Sequence, residues 1–86
     1  MLIEVTTFRL VQEADVDAFL EADAREQERV SAIKGIVRRT TARSGDGTWA
    51  VITLWWGTEY AQAPSDDFIA FVDGATVRTE RYETPD

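Results

Sequence analysis

Apolar residues recur along this chain with two different periods, and the points where the period changes mark its elements. An extended Leu2–Leu10 would carry Ile3, Val5, Thr7 and Arg9 on one face and Leu2, Glu4, Thr6, Phe8 and Leu10 on the other. That two-residue alternation predicts a first strand. From Asp15 the period lengthens: Val16, Phe19, Leu20 and Val30 fall on one stripe at 100° per residue, so a helix is expected from there to about Lys34. Asp15 suits the N-cap, Asp17 the first turn, and Gly35 a left-handed stop. Asp23 and Gln27 fall within the same stripe, which is unusual for a buried face.

The stretch Gly35–Trp56 returns to alternation on both sides of Ser44-Gly45-Asp46-Gly47 and predicts a hairpin of Ile36–Arg43 and Thr48–Trp56. Both glycines are expected to supply positive φ, and Asp46 to bond its own backbone. The second hairpin strand is apolar on both faces, with Trp49, Val51 and Trp55 on one and Ala50, Ile52, Leu54 and Trp56 on the other. Such strands are normally covered on both sides. A helical turn is expected at Glu59–Ala63, and a short helix at Asp66–Asp73, buried through Phe68, Ile69, Phe71 and Val72 and stopped by Gly74. A polar last strand, Thr76–Glu83, and a tail, Thr84–Asp86, complete the chain.

The order β-α-β-β-α-β with right-handed crossovers places two helices on one face of a four-stranded antiparallel sheet, an α+β, ferredoxin-like architecture in one domain spanning residues 1–86. The polar second and fourth strands belong at the edges and the apolar first and third at the centre. The other sheet face then remains apolar and uncovered, and a second copy of the chain packed face to face is the expected cover.

Composition narrows the functions. A chain of 86 residues buries only about 60–65% of its unfolded surface. It has no cysteine and no histidine, so disulfides and the usual zinc or haem ligands are not available, and a second subunit is the remaining common way to enlarge the core. Nine basic against sixteen acidic residues give a net charge of −7, which argues against a nucleic-acid or anionic-membrane partner. The first ten residues lack the basic-then-apolar pattern of a signal segment, and no apolar run is long enough to span a bilayer; a soluble cytoplasmic protein is expected.

On the element order, on Gly35 opening the second strand, on Arg38-Arg39-Thr40-Thr41-Ala42-Arg43, on the Gly-containing turn followed by Trp49, and on Trp55 with Ala61, the chain resembles the dimeric α+β barrel superfamily. Within it the chain is similar to the antibiotic-biosynthesis-monooxygenase group. The resemblance implies a homodimer with a pocket in each subunit between helices and sheet. It also implies an activity, if any, of a monooxygenase or isomerase that needs no cofactor and takes an aromatic or polyketide-like ligand. Haem-degrading relatives rely on a pocket Asn, Trp and His. Thr7 falls about where that Asn would, and this chain has neither Asn nor His, which argues against haem degradation.

The candidate pocket comprises Thr7, Asp23, Gln27, Arg38, Trp55 and Phe68. Asp23 and Gln27 would be costly to bury without partners. Either they face a ligand, with Asp23 accepting its hydrogen bond or proton, or Asp23 pairs with whichever of Arg38 and Arg39 points inward. Adjacent strand residues face opposite ways, so one arginine approaches the helices, where it could hold an anionic oxygen, and the other the dimer interface. Trp49, Trp55, Trp56, Phe8, Phe68 and Phe71 either line an aromatic pocket or fill core and interface. Tyr60 and Tyr82 are either proton donors or edge-of-core residues. The carboxylates Glu21, Asp23, Glu26 and Glu28 spread around the helix rather than converge, so no metal is expected; Glu21 and Glu28 read as solvated. Ser–His and Cys–His chemistry is excluded by composition, and no glycine-rich phosphate loop is present. A non-catalytic ligand-binding or scaffold role is the alternative to an enzyme.

Overall fold

Asp15 begins the first helix in the way its side chain allows: extended backbone at the cap, and Oδ1 accepting the Asp17 N–H at 2.9 Å. In the computed structural model, which describes residues 1–85, that helix is α1, Val16–Ser31. It follows strand β1, Leu2–Phe8, and precedes the hairpin β2, Ile36–Arg43, and β3, Trp49–Trp55. A 3₁₀ turn at Thr58–Tyr60 leads to α2, Asp66–Ile69; a second at Gly74–Thr76 leads to β4, Arg78–Glu83. The sheet is antiparallel throughout, in the order β2-β3-β1-β4. The apolar strands are central and the polar ones are edges, as expected. Asp86, the end of the expected tail, lies outside the described residues.

Several boundaries move for local reasons. β1 ends at Phe8 rather than Leu10, which makes only an isolated bridge to Val72. α1 closes at Ser31, not Lys34: the Ser31 hydroxyl donates to the Glu28 carbonyl at 2.8 Å, and Ala32 caps through its N–H. Gly35 does take positive φ (+91°), but its larger role is steric, since a Cβ there would lie 2.1 Å from the Tyr60 ring. In the hairpin turn only Gly47 is left-handed (+87°), and Gly45 is not. Asp46 accepts from the Thr48 N–H at 2.9 Å and from the Ser44 hydroxyl, and these bonds hold its carboxyl down at about 2.

The expected helix Asp66–Asp73 is one turn long, Asp66–Ile69. Gly74 does not stop it but opens the following 3₁₀ turn, which Asp73 caps by accepting the Ala75 N–H. So short an element cannot roof its half of the sheet, and this decides where the cavity lies. Leu20 and Ile69, both expected on buried faces, are 44% and 45% exposed.

The helix-facing side of the sheet is layered along the strands. Its first row is Trp55–Leu2–Glu83, followed by Thr53–Glu4–Arg81, Val51–Thr6–Thr79, and finally Trp49–Phe8. Apolar core forms at the two ends only. Phe8, Phe19, Trp49 and Phe68 make one cluster, with the Phe19 ring centred 4.8 Å from Trp49 and 5.5 Å from Phe68. Leu2, Val30 and Trp55 make the other. The middle rows are polar except for Val51, which packs against the aromatic cluster.

Candidate functional site

Between the two clusters lies a cavity of about 470 Å³. Phe8 and Phe68 border it from one side, Val30 and Trp55 from the other. Its floor is the polar middle of the sheet, including Glu4, Thr6, Thr53, Thr79 and Arg81. Its roof comes from the segment Ala61–Pro64 and from Ile69 and Val72.

Glu4 is the organising group of the floor. Trp55 Nε1 donates to its Oε1 at 2.9 Å, and Arg81 Nε donates to its Oε2 at 2.7 Å. The side chain of Glu4 is 15% exposed, whereas Arg81 at the mouth is 63% exposed. Beside them Thr6 and Thr79 hydroxyls pair at 3.1 Å.

A second carboxylate, Glu26, holds the helix side of the cavity. It is buried, and both oxygens are occupied: Arg29 Nε (2.9 Å) and the Ser65 hydroxyl (2.8 Å) donate to Oε1. Oε2 accepts from an Arg29 terminal nitrogen (2.8 Å) and the Ser65 N–H (3.0 Å). The Arg29 guanidinium outweighs burial and, with Ser65, holds the carboxyl at about 2. Ser65 is thus the N-cap of α2 in position while its side chain serves α1. This network ties the two helices and shapes the roof, and leaves Glu26 no free acceptor for chemistry.

Asp23 takes the ion-pair alternative. Its Oδ1 accepts from Arg39 at 2.8 Å and from the Thr41 hydroxyl at 2.8 Å, with Arg39 almost wholly buried. Arg39 also donates to Gln27 and Thr41, at 3.3 Å each, and its guanidinium sits 5.3 Å from the Phe68 ring centre. Gln27 itself is exposed. Neither Asp23 nor Gln27 lines the cavity.

The inward arginine is Arg39, not Arg38. Arg38 lies on the outer sheet face beside Ile3, Ile52 and Leu54, donating to Thr40. A break in register between Ile36 and Arg38 accounts for this: Ile36 packs inward against Trp55, and the bulge after it shifts the alternation by one. Thr7 likewise faces outward, in register with Ala50 and Arg78; its neighbour Thr6 is the cavity residue. Of the six expected pocket residues, the structure brings Trp55 and Phe68 to the cavity. Glu4, Thr6, Arg81 and Glu26 went unrecognised, although Leu2 and Phe8, both large and apolar at even positions, signal that Glu4 and Thr6 face inward with them.

Among the described residues every buried side-chain nitrogen or oxygen has a partner, and no helix is long and apolar enough to cross a membrane. The floor can therefore bind and orient a ligand only through groups with spare capacity, and the walls can stack against an aromatic one.

Several solved structures share this architecture. A protein from Nitrosomonas europaea described as an antibiotic biosynthesis monooxygenase superposes with a TM-score of 0.76 at 14% identity, covering 99% of each chain. SnoaB, a cofactor-independent oxygenase from Streptomyces nogalater, superposes at 0.74 with 18% identity, over 99% of this chain and 93% of its own. The protein YJCS superposes at 0.72 with 8% identity over 98% and 99%. No family model and no curated protein matches the sequence. The chain therefore has the ferredoxin-like α+β fold of antibiotic-biosynthesis-monooxygenase-like proteins.

Proposed function

We propose that this chain is a small-molecule-binding protein of the dimeric α+β barrel type that acts as a cofactor-independent monooxygenase on an aromatic, polyketide-like substrate in the cytoplasm. The observation that carries this reading is the cavity of about 470 Å³, with aromatic walls and a floor containing aimed polar groups. In cofactor-free oxygenation the substrate supplies the electrons. An anthrone and O₂ give a quinone and water, one oxygen atom entering the ring system and the other leaving as water. The protein's part is to hold the ring, exclude water and orient the oxygen-bearing edge. The likeness to SnoaB supports the class of reaction; its substrate is a separate matter.

The dimer rests on the outer sheet face, where Ile3, Val5, Ile52 and Leu54 adjoin Trp56, which is 61% exposed. An apolar sheet face of this kind is covered most simply by its own copy.

A second reading, a ligand-binding protein without catalysis, is supported by the closed Asp23–Arg39 and Glu26–Arg29 pairs, which leave neither carboxylate free as a base. The two readings separate in one experiment. Purified protein is mixed with a hydroxyanthrone, and binding is followed by tryptophan fluorescence while oxygen uptake is followed at an electrode. Fluorescence quenching with one O₂ consumed per quinone formed supports the oxygenase. Quenching without protein-dependent oxygen uptake supports the binder, and no quenching at millimolar ligand overturns both.

A further inference from the structure

We infer that Glu4 selects the ligand of this cavity, its carboxylate accepting the hydroxyl of a neutral hydroxyarene. The inference rests on the cavity being a ligand site. Arg81 lies at its mouth, 63% exposed, and gives Nε to Glu4; the more enclosed charged groups differ in what they have left to give. Glu26 accepts four hydrogen bonds and is saturated. Arg39 is held by Asp23, Gln27 and Thr41, and Arg29 by Glu26 and the Ala63 carbonyl. Glu4 accepts two bonds, one at each oxygen, from Trp55 and Arg81. Each of its oxygens keeps acceptor capacity, and the two bonds fix the plane of the carboxylate.

Its position matches that capacity. Glu4 sits in the middle of the floor, between Thr53 on one neighbouring strand and Arg81 on the other. The side chain that fixes it, Trp55, is also part of the aromatic wall. A ring stacked along that wall would bring its polar edge to Glu4. A carboxylate can only accept, so the ligand must donate. An ether in place of the hydroxyl would leave both oxygens facing each other without a proton. Glu4 is on this account a specificity-determining group, and no proton transfer is assigned to it.

The test compares 2-naphthol with 2-methoxynaphthalene at pH 7 by titration calorimetry, on the full chain and on Glu4→Gln. The glutamine keeps the shape and an oxygen for Trp55 but replaces the second oxygen with a donor. The expected result is that the wild type binds 2-naphthol about tenfold more tightly than the ether, as one charge-assisted hydrogen bond would give. In Glu4→Gln the ratio falls to within about twofold, through loss of naphthol affinity alone. Equal binding of the two probes to the wild type overturns the role of Glu4 and leaves the cavity reading standing; this arm needs no variant to fold. A ratio that survives in Glu4→Gln has the same meaning. Failure of both probes to bind the wild type overturns the role of Glu4 together with the cavity reading.

Discussion

Trp49 and Trp55 lie on the same strand, face the same way and are both buried, yet they belong to different kinds of structure. Trp49 completes an aromatic cluster around the fully buried Phe19, with Arg43 lying 5.1 Å over its ring. Trp55 spends its N–H on a carboxylate and borders an open space. The two side chains are alike; what differs is what stands opposite. α1 presents Phe19 at one end, while towards the other Ala22 and Glu26 precede Val30, and α2 is one turn long. One region is therefore a dry core that sustains the fold, and the other is a polar-floored cavity that the same fold leaves room for. Stability should be concentrated in the first and be nearly insensitive to the roof of the second.

That contrast can be broken by measurement. Phe19→Ala should cost about 3–5 kcal/mol in denaturant titration, because its ring touches four other aromatics, whereas Ile69→Ala on the exposed roof should cost under about 0.5 kcal/mol. Comparable losses at the two sites would erase the distinction. Next in size, Asp23→Leu should destabilise by about 3 kcal/mol, since it strands a buried Arg39. Adding Arg39→Met should recover most of that loss, and a double variant no more stable than the single one would show the pair to be more than a closed ion pair.

The acid limb of stability gives a smaller effect. Glu26 lies at about 2 when folded against 4.5 as a free side chain. A lowered carboxyl stabilises the fold fully above pH 4.5, and that contribution disappears as pH falls from 4.5 towards 2. Its size is about 2–3 kcal/mol, reduced by the 39% exposure of its partner Arg29. Glu26→Gln should flatten the melting-temperature curve across that window. Asp46, also held low, leaves a remnant of the same sign. An unchanged acid limb in Glu26→Gln would remove Glu26 from the support of the cavity.

The element order, the central and edge strands, the Asp15 cap and the β2 boundaries were legible in the sequence because each follows from near neighbours: alternation, a capping oxygen, a glycine-bearing turn. The site was less legible. On α1, Leu20 drew the apparent stripe away from its true line, Phe19–Ala22–Glu26–Val30, in which a small residue and a paired acid disguise a buried face. Glu26 carried a readable signal in Arg29 three residues on, but its other partner, Ser65, is thirty-nine positions away. The choice between Arg38 and Arg39 stayed open in the sequence, and the bulge after Ile36 settles it by turning Arg38, a member of the candidate pocket, outward.

By itself, then, the sequence determined which segments pair and which strands are central, since those preferences are set by the period of apolar side chains within a few residues. The tertiary structure decided which polar groups meet. Glu4 reaches Trp55 and Arg81 across fifty-one and seventy-seven positions, and such contacts depend on register, on a single bulge and on a helix one turn long. A change of one residue in any of these turns a side chain to the opposite face, and local pattern carries no record of that.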